Sequence, residues 1–102
     1  MKIKKVTSNE IIFDNGDIIT FDHAQDCCEY NYADFEQIEE IAYDINFKEP
    51  LKFEKSDYGF RFGDDRIMFF VPCYSMQNGY YSNDVEIYFN GNLVLTTEGE
   101  LN

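Results

Sequence analysis

A chain of 102 residues carrying 20 acidic and 8 basic side chains has a formal net charge of −12 at neutral pH. Phosphates repel such a surface, which excludes nucleic acid held through its backbone, and no apolar run approaches the ~20 residues that a membrane-spanning helix needs. With 44% apolar and 18% aromatic residues the chain has too much core-forming material to stay disordered, and its length predicts a single domain over 1–102.

Met1–Lys5 is basic, as a signal peptide begins, but Glu10, Asp14 and Asp17 interrupt the apolar segment that should follow. Only three cysteines occur, Cys27, Cys28 and Cys73, an odd and low number that fits a reducing compartment. Both observations point to a cytoplasmic protein without a membrane partner.

Asn15-Gly16 lies between Glu10–Asp14 and Asp17–Asp22 and predicts a hairpin with a two-residue turn. Cys27–Tyr32 reads as a short strand leading into a helix. That helix is expected over Asp34–Ile45, with Asp34 as N-cap and Gln37 completing a capping box. Phe35, Ile38, Ile41, Ala42 and Ile45 make its apolar stripe, Glu36, Glu39, Glu40 and Asp44 face solvent, and Pro50 stops any continuation.

Ser56 to Gly59 reads as a loop. Asp64-Asp65 marks a turn between the strands Tyr58–Phe62 and Arg66–Val71. Along 66–74, Ile67, Phe69, Val71 and Cys73 share one face while Met68, Phe70, Pro72 and Tyr74 share the other. Apolar residues on both faces predict a central strand with some cover on each side, and Pro72 predicts a bulge or a strand end. Asn78-Gly79 and Asn90-Gly91 flank a further strand in which Val85, Ile87 and Phe89 alternate with Glu86 and Tyr88, and Leu93–Thr97 follows. The expected fold class is therefore α+β: an antiparallel β meander of about six strands, with one helix over about 34–45 packed on one face.

Charge is distributed unevenly. From Val6 to Phe47 there are eleven acids and no lysine or arginine. Positive charge sits in Lys2, Lys4 and Lys5 and in 48–66, where five basic residues meet five acidic ones. An uncompensated acidic half is either a solvated, solubilising face or a surface that docks on a basic protein partner, with long-range attraction speeding the encounter.

Two clusters carry side-chain chemistry. In His23-Ala24-Gln25-Asp26-Cys27-Cys28-Glu29, extended backbone puts His23, Gln25, Cys27 and Glu29 on one face. Three readings stay open. The cysteines are small buried hydrophobes; or His23 and Cys27 bind zinc together with Cys73; or a thiol is activated by His23, against the opposition of the surrounding acids. In Asn78-Gly79-Tyr80-Tyr81-Ser82-Asn83-Asp84, a hairpin turn accounts for Asn78 and Gly79, while Tyr80 and Tyr81 point to opposite sides, so that one can pack and the other can anchor a contact.

His23, Asp26-Cys27-Cys28-Glu29 and Asn78-Gly79-Tyr80-Tyr81-Ser82, in that order and with an aromatic strand between them, resemble the hallmarks of a family of small bacterial and phage proteins classed as a domain of unknown function. The resemblance runs from about Ile18 to Phe89 and implies that the two motifs sit together in space. It brings no activity with it; a phage setting would fit a small acidic inhibitor of a host system.

The functional expectation is a non-catalytic binding protein, monomer or homodimer, with no cofactor. Asp26, Glu29, Tyr80 and Tyr81 are its candidate binding residues, and a protein with a basic surface is its partner. The alternative is a metal- or thiol-dependent site built from the His23–Glu29 cluster, with His23, Cys27 and Cys73 as zinc ligands. No residue is assigned a catalytic role.

Overall fold

A computed structural model describes residues 1–23, 30–77 and 82–101. The described residues form two sheets packed face to face. The first runs β1-β2-β3-β8-β9, from Ile3–Val6, Glu10–Phe13, Ile18–Asp22, Asp84–Phe89 and Asn92–Glu98, with every pairing antiparallel. In the second, β7 (Met68–Met76) is central. β6 (Gly59–Gly63) and β5 (Lys52–Ser56) extend it antiparallel on one flank, where β10 (Glu100–Leu101) adds a short parallel pairing. β4 (Tyr30–Ala33) takes the opposite flank, since Tyr74 pairs with both Tyr32 and Glu100 and a strand has two edges.

The α+β expectation is overturned, because 34–45 forms no α-helix. Two short 3-10 segments, Phe35–Gln37 and Glu40–Asp44, are separated by extended backbone at Ile38 (ψ 141°) and Glu39 (ψ 135°). Asp34 makes no side-chain cap; its carboxylate accepts a bond from Gln37 Nε2 at 2.7 Å instead. The apolar pattern suits this geometry, for Phe35 and Ile38 are three apart, as are Ala42 and Ile45, and three residues make one 3-10 turn. Phe35, Ile38 and Ala42 are buried and Ile45 packs on the core, while Ile41, the stripe's remaining member, is 56% exposed. β-branched and aromatic residues are only fair helix formers, and a helix of this length is marginal alone, so contact with β7 and the core sets the conformation.

The turns follow local chemistry. Asn90 (φ 52°) and Gly91 (φ 82°) make the expected two-residue turn, closing Phe89 against Asn92. Asn15-Gly16 differs from expectation. The loop holds three residues: the Phe13 N–H donates to Asp17 O at 2.9 Å, the Gly16 N–H donates to Phe13 O at 3.0 Å, and only Gly16 has positive φ. The supposed loop at 56–59 is a tight two-residue turn with Tyr58 at φ 54°, and it joins β6 to β5, a strand that the pattern of Lys52–Ser56 did not announce. Asp64 ties its own turn, its carboxylate accepting the N–H groups of Lys48, Arg66 and Ile67 at 2.8, 2.8 and 3.2 Å. Asn78-Gly79 lies outside the described residues.

Phe69, Val71, Cys73 and Ser75 point from β7 into the core. Pro72 is tolerated because β4 ends opposite Cys73: the Pro72 carbonyl accepts the Asp34 N–H at 2.8 Å, so its missing donor faces the flank that β4 has left. Aromatic rings join the sheets. Phe13 of β2 meets Phe62 of β6 edge-on at 6.2 Å, and Phe47 packs on Phe13, Phe62 and Phe69 at 6.1, 5.8 and 5.9 Å. Each fully buried ring contributes roughly 1.5–3 kcal/mol of transfer free energy. At one edge Thr97 Oγ1 of β9 donates between Gly59 O (2.7 Å) and Ser56 O (3.1 Å), fastening the β5–β6 turn to the first sheet.

Candidate functional site

Asp26, Cys27, Cys28, Glu29, Tyr80 and Tyr81 lie outside the described residues. His23 follows β3, with its ring edge-on to Tyr30 at 5.8 Å and a buried Nε2 that has no hydrogen-bond partner among the described residues. Cys73 is fully buried, and burial pushes its thiol up to about 12, far from the thiolate that nucleophilic attack requires. Among the described residues no group of three or more His, Cys, Asp or Glu is placed to hold a metal ion.

Described residues that flank the two clusters meet. Tyr30, directly after the first, pairs with Met76, just before the second. The Asn31 side chain, buried on β4, donates to Ser82 O at 2.9 Å and Asp84 O at 3.1 Å, and its amide oxygen accepts the Ser75 hydroxyl. Gln77 Nε2 adds bonds to Ser75 Oγ at 2.7 Å and Ser82 O at 3.0 Å. Such a buried polar knot is stable because its members find partners in one another, and it ties Gln77 and Ser75 at the end of β7 to Ser82 and Asp84.

On the outer side of the same strands runs an aromatic row. Alternation on β4 turns Asn31 and Ala33 inward and Tyr30 and Tyr32 outward. Tyr30 stacks on Tyr32 at 5.1 Å and 17°, and Tyr32 meets Tyr74 of β7 at 5.6 Å. Burial, then the nearby Asp34 carboxylate, pushes the Tyr32 hydroxyl above its ordinary range. Gln37 Nε2 donates to Tyr74 Oη at 3.1 Å, joining the row to the first 3-10 segment.

The row leads into an open groove of about 560 Å³. Its floor is the outer face of β7: Met68, Phe70, Pro72 and Tyr74. Gln37 and Glu39 line it from the 3-10 region, Asp57, Tyr58 and Arg61 from the β5–β6 hairpin, and Glu100 from β10. The sequence names these four β7 residues as an apolar face but also expects cover over them. The helix that would have supplied cover does not form, and Phe70 is 41% exposed and Tyr58 49%. Gly59 makes room for the Phe70 ring: a Cβ there would stand 2.6 Å from Phe70 Cζ and 2.4 Å from Val71 O. The groove's one basic residue, Arg61, pairs with Glu54 at 3.3 Å. That pair and Arg66–Asp64 are the ion pairs among the described residues, so the acids of 6–47 other than Asp26 and Glu29 carry no basic partner, and none of them is buried.

An all-but-helix-free pair of sheets with one open aromatic face is the class of domain these observations define. The family model of a domain of unknown function (DUF7448) matches residues 1–87, from the N-terminus into β8, and the chain belongs to that family. Comparison with curated proteins gave no match, and comparison with solved structures gave none. Among the described residues no helix is long and apolar enough to cross a membrane.

Proposed function

We propose that this protein is a small acidic binding module, cytoplasmic and phage-related, that docks without catalysis on a protein partner with a basic surface. The observation that carries the reading is the uncompensated charge: eleven acids and no base between Val6 and Phe47. Acids without ion-pair partners leave their field free to steer a positively charged surface. Asp26 and Glu29 belong to that stretch in the sequence, and Tyr80 and Tyr81 are the aromatic anchors the sequence offers. The test is partner affinity measured from about 0.05 M to about 0.5 M salt, over which screening shortens severalfold in range. Affinity that falls steeply with salt supports the reading; affinity indifferent to salt overturns it.

One observation favours a second reading, a metal- or thiol-dependent site in the His23–Glu29 cluster: the buried His23 Nε2 has no partner among the described residues, and a buried polar atom without one is costly. His23, Cys27 and Cys73 are the ligands the sequence offers for it. Native mass spectrometry under reducing, chelator-free conditions decides. One zinc per chain, lost in His23→Ala, supports the metal form and a metal-free chain ends it; cysteines inert to thiol reagents in the folded state end the thiol form.

A further inference from the structure

We propose that the groove over β7 seats a lysine or arginine side chain, presented on an extended segment of the basic partner; the inference rests on the acidic-module reading and gives it a place on the molecule. The floor is apolar and aromatic, through Phe70, Tyr74, Met68 and Pro72. Three carboxylates stand around it, Glu39, Asp57 and Glu100, brought from three separate parts of the chain. None is in an ion pair, and the guanidinium of Arg61 is already engaged by Glu54.

This combination selects its occupant. A phosphate or an acidic peptide meets three like charges. A purely apolar side chain satisfies the floor but strips water from the carboxylates without replacing it, which is unfavourable. A long cationic side chain answers both parts: its methylene stem lies on the apolar floor while its charged head reaches the acids at the edge. The exposed ring of Phe70 adds attraction between its face and the cation. Four alternate residues of β7, Met68, Phe70, Pro72 and Tyr74, line the floor, so a segment laid along the strand in extended form meets it over its length. Gly59 is part of the device, because a Cβ there would collide with both the Val71 carbonyl oxygen and the Phe70 ring.

The test uses the full chain, isotope-labelled, titrated with a short acetylated and amidated peptide of alternating lysine and alanine. Its controls are the same peptide with glutamate and with norleucine in place of lysine. The expected result is saturable amide shifts centred on Tyr58–Arg61 and Met68–Val71, weakened by salt, with little response to either control. Phe70→Ala leaves the charge unchanged and should weaken binding about tenfold; Leu93→Ala, at an exposed position on the first sheet, should not. The charge-neutralising pair Asp57→Asn and Glu100→Gln tests the acids without altering shape and should weaken binding comparably. Lysine-peptide binding that maps elsewhere, that survives Phe70→Ala, or that norleucine equals overturns the groove proposal and leaves the acidic-module reading standing. No binding of the lysine peptide anywhere at low salt counts against both.

Discussion

Asp64 shows how one side chain can hold a turn and set an acid limit. It is buried, and its carboxylate gathers the Arg66 guanidinium at 2.8 Å and three backbone N–H groups. The Arg66 guanidinium first, then the Lys48 N–H, hold its carboxyl well below the usual carboxylate range. A carboxyl lowered by folding stabilises the native state at every pH above its unfolded value, near 4, and that contribution drains away as pH falls toward the folded value. Asp64→Asn should therefore be less stable than the parent at neutral pH and should lose less on acidification below about pH 4. Urea midpoints at neutral and acid pH check this; parallel pH profiles would contradict it. Tyr58 carries a different tension. At φ 54° a residue with a Cβ is strained by roughly 1–2 kcal/mol, and its ring stays 49% exposed beside the groove. Tyr58→Gly should raise stability by up to about 1 kcal/mol while weakening capture of the lysine peptide. Gain of stability without loss of binding would show that the ring has no part in docking.

The segment 34–45 is the element whose conformation most affects function, because an α-helix there was the expected cover for the sheet. Broken into two 3-10 turns, it buries Phe35, Ile38 and Ala42 and turns Ile41 outward. The two geometries make opposite claims about Ile41. In the observed one, Ile41→Lys changes stability by no more than about 0.5 kcal/mol, as exposed substitutions do. Phe35→Ala, at a fully buried site, should cost about 3–5 kcal/mol. Denaturant titrations of both variants make the comparison, and a large loss in Ile41→Lys would restore the helical stripe. In the same region Gln37 joins Asp34 to Tyr74 instead of completing a capping box. A residue type chosen for helix starts thus ends up linking the aromatic row to the groove.

Across the whole molecule, a net charge of −12 spread over few ion pairs means that the acids repel one another in the folded state more than in the expanded chain. Added salt should therefore raise the melting temperature between about 0.05 M and about 0.5 M, as screening weakens the repulsion. Calorimetry with a neutral cosolute as control measures it, and a melting temperature that falls with salt would mean the acids are stabilised by attractions within the chain. The same field that weakens the fold would attract a basic partner. Stability and affinity should then respond to salt with opposite signs, a signature that neither a neutral binding surface nor a buried metal site produces.

How much of this was legible in the residues depends on how far each feature reaches along the chain. The residues alone announced the Asn90-Gly91 turn, the Asp64 turn, the division of β7 into two faces and the alternation of β8, because each depends on backbone preferences or periodicity within a few neighbouring residues. They also set the charge imbalance, which is a matter of counting. Packing settled the rest: that the strands divide into two sheets, that β1 edges the first sheet and β5 the second, that the face of β7 carrying Cys73 turns into the core, and that its other face stays open. Those outcomes depend on contacts between residues distant in sequence, such as Phe13 with Phe62 and Asn31 with Ser82. Local pattern is silent about them because burial drives packing without direction: an apolar face asks for cover, and only the folded chain settles whether any segment is left to provide it.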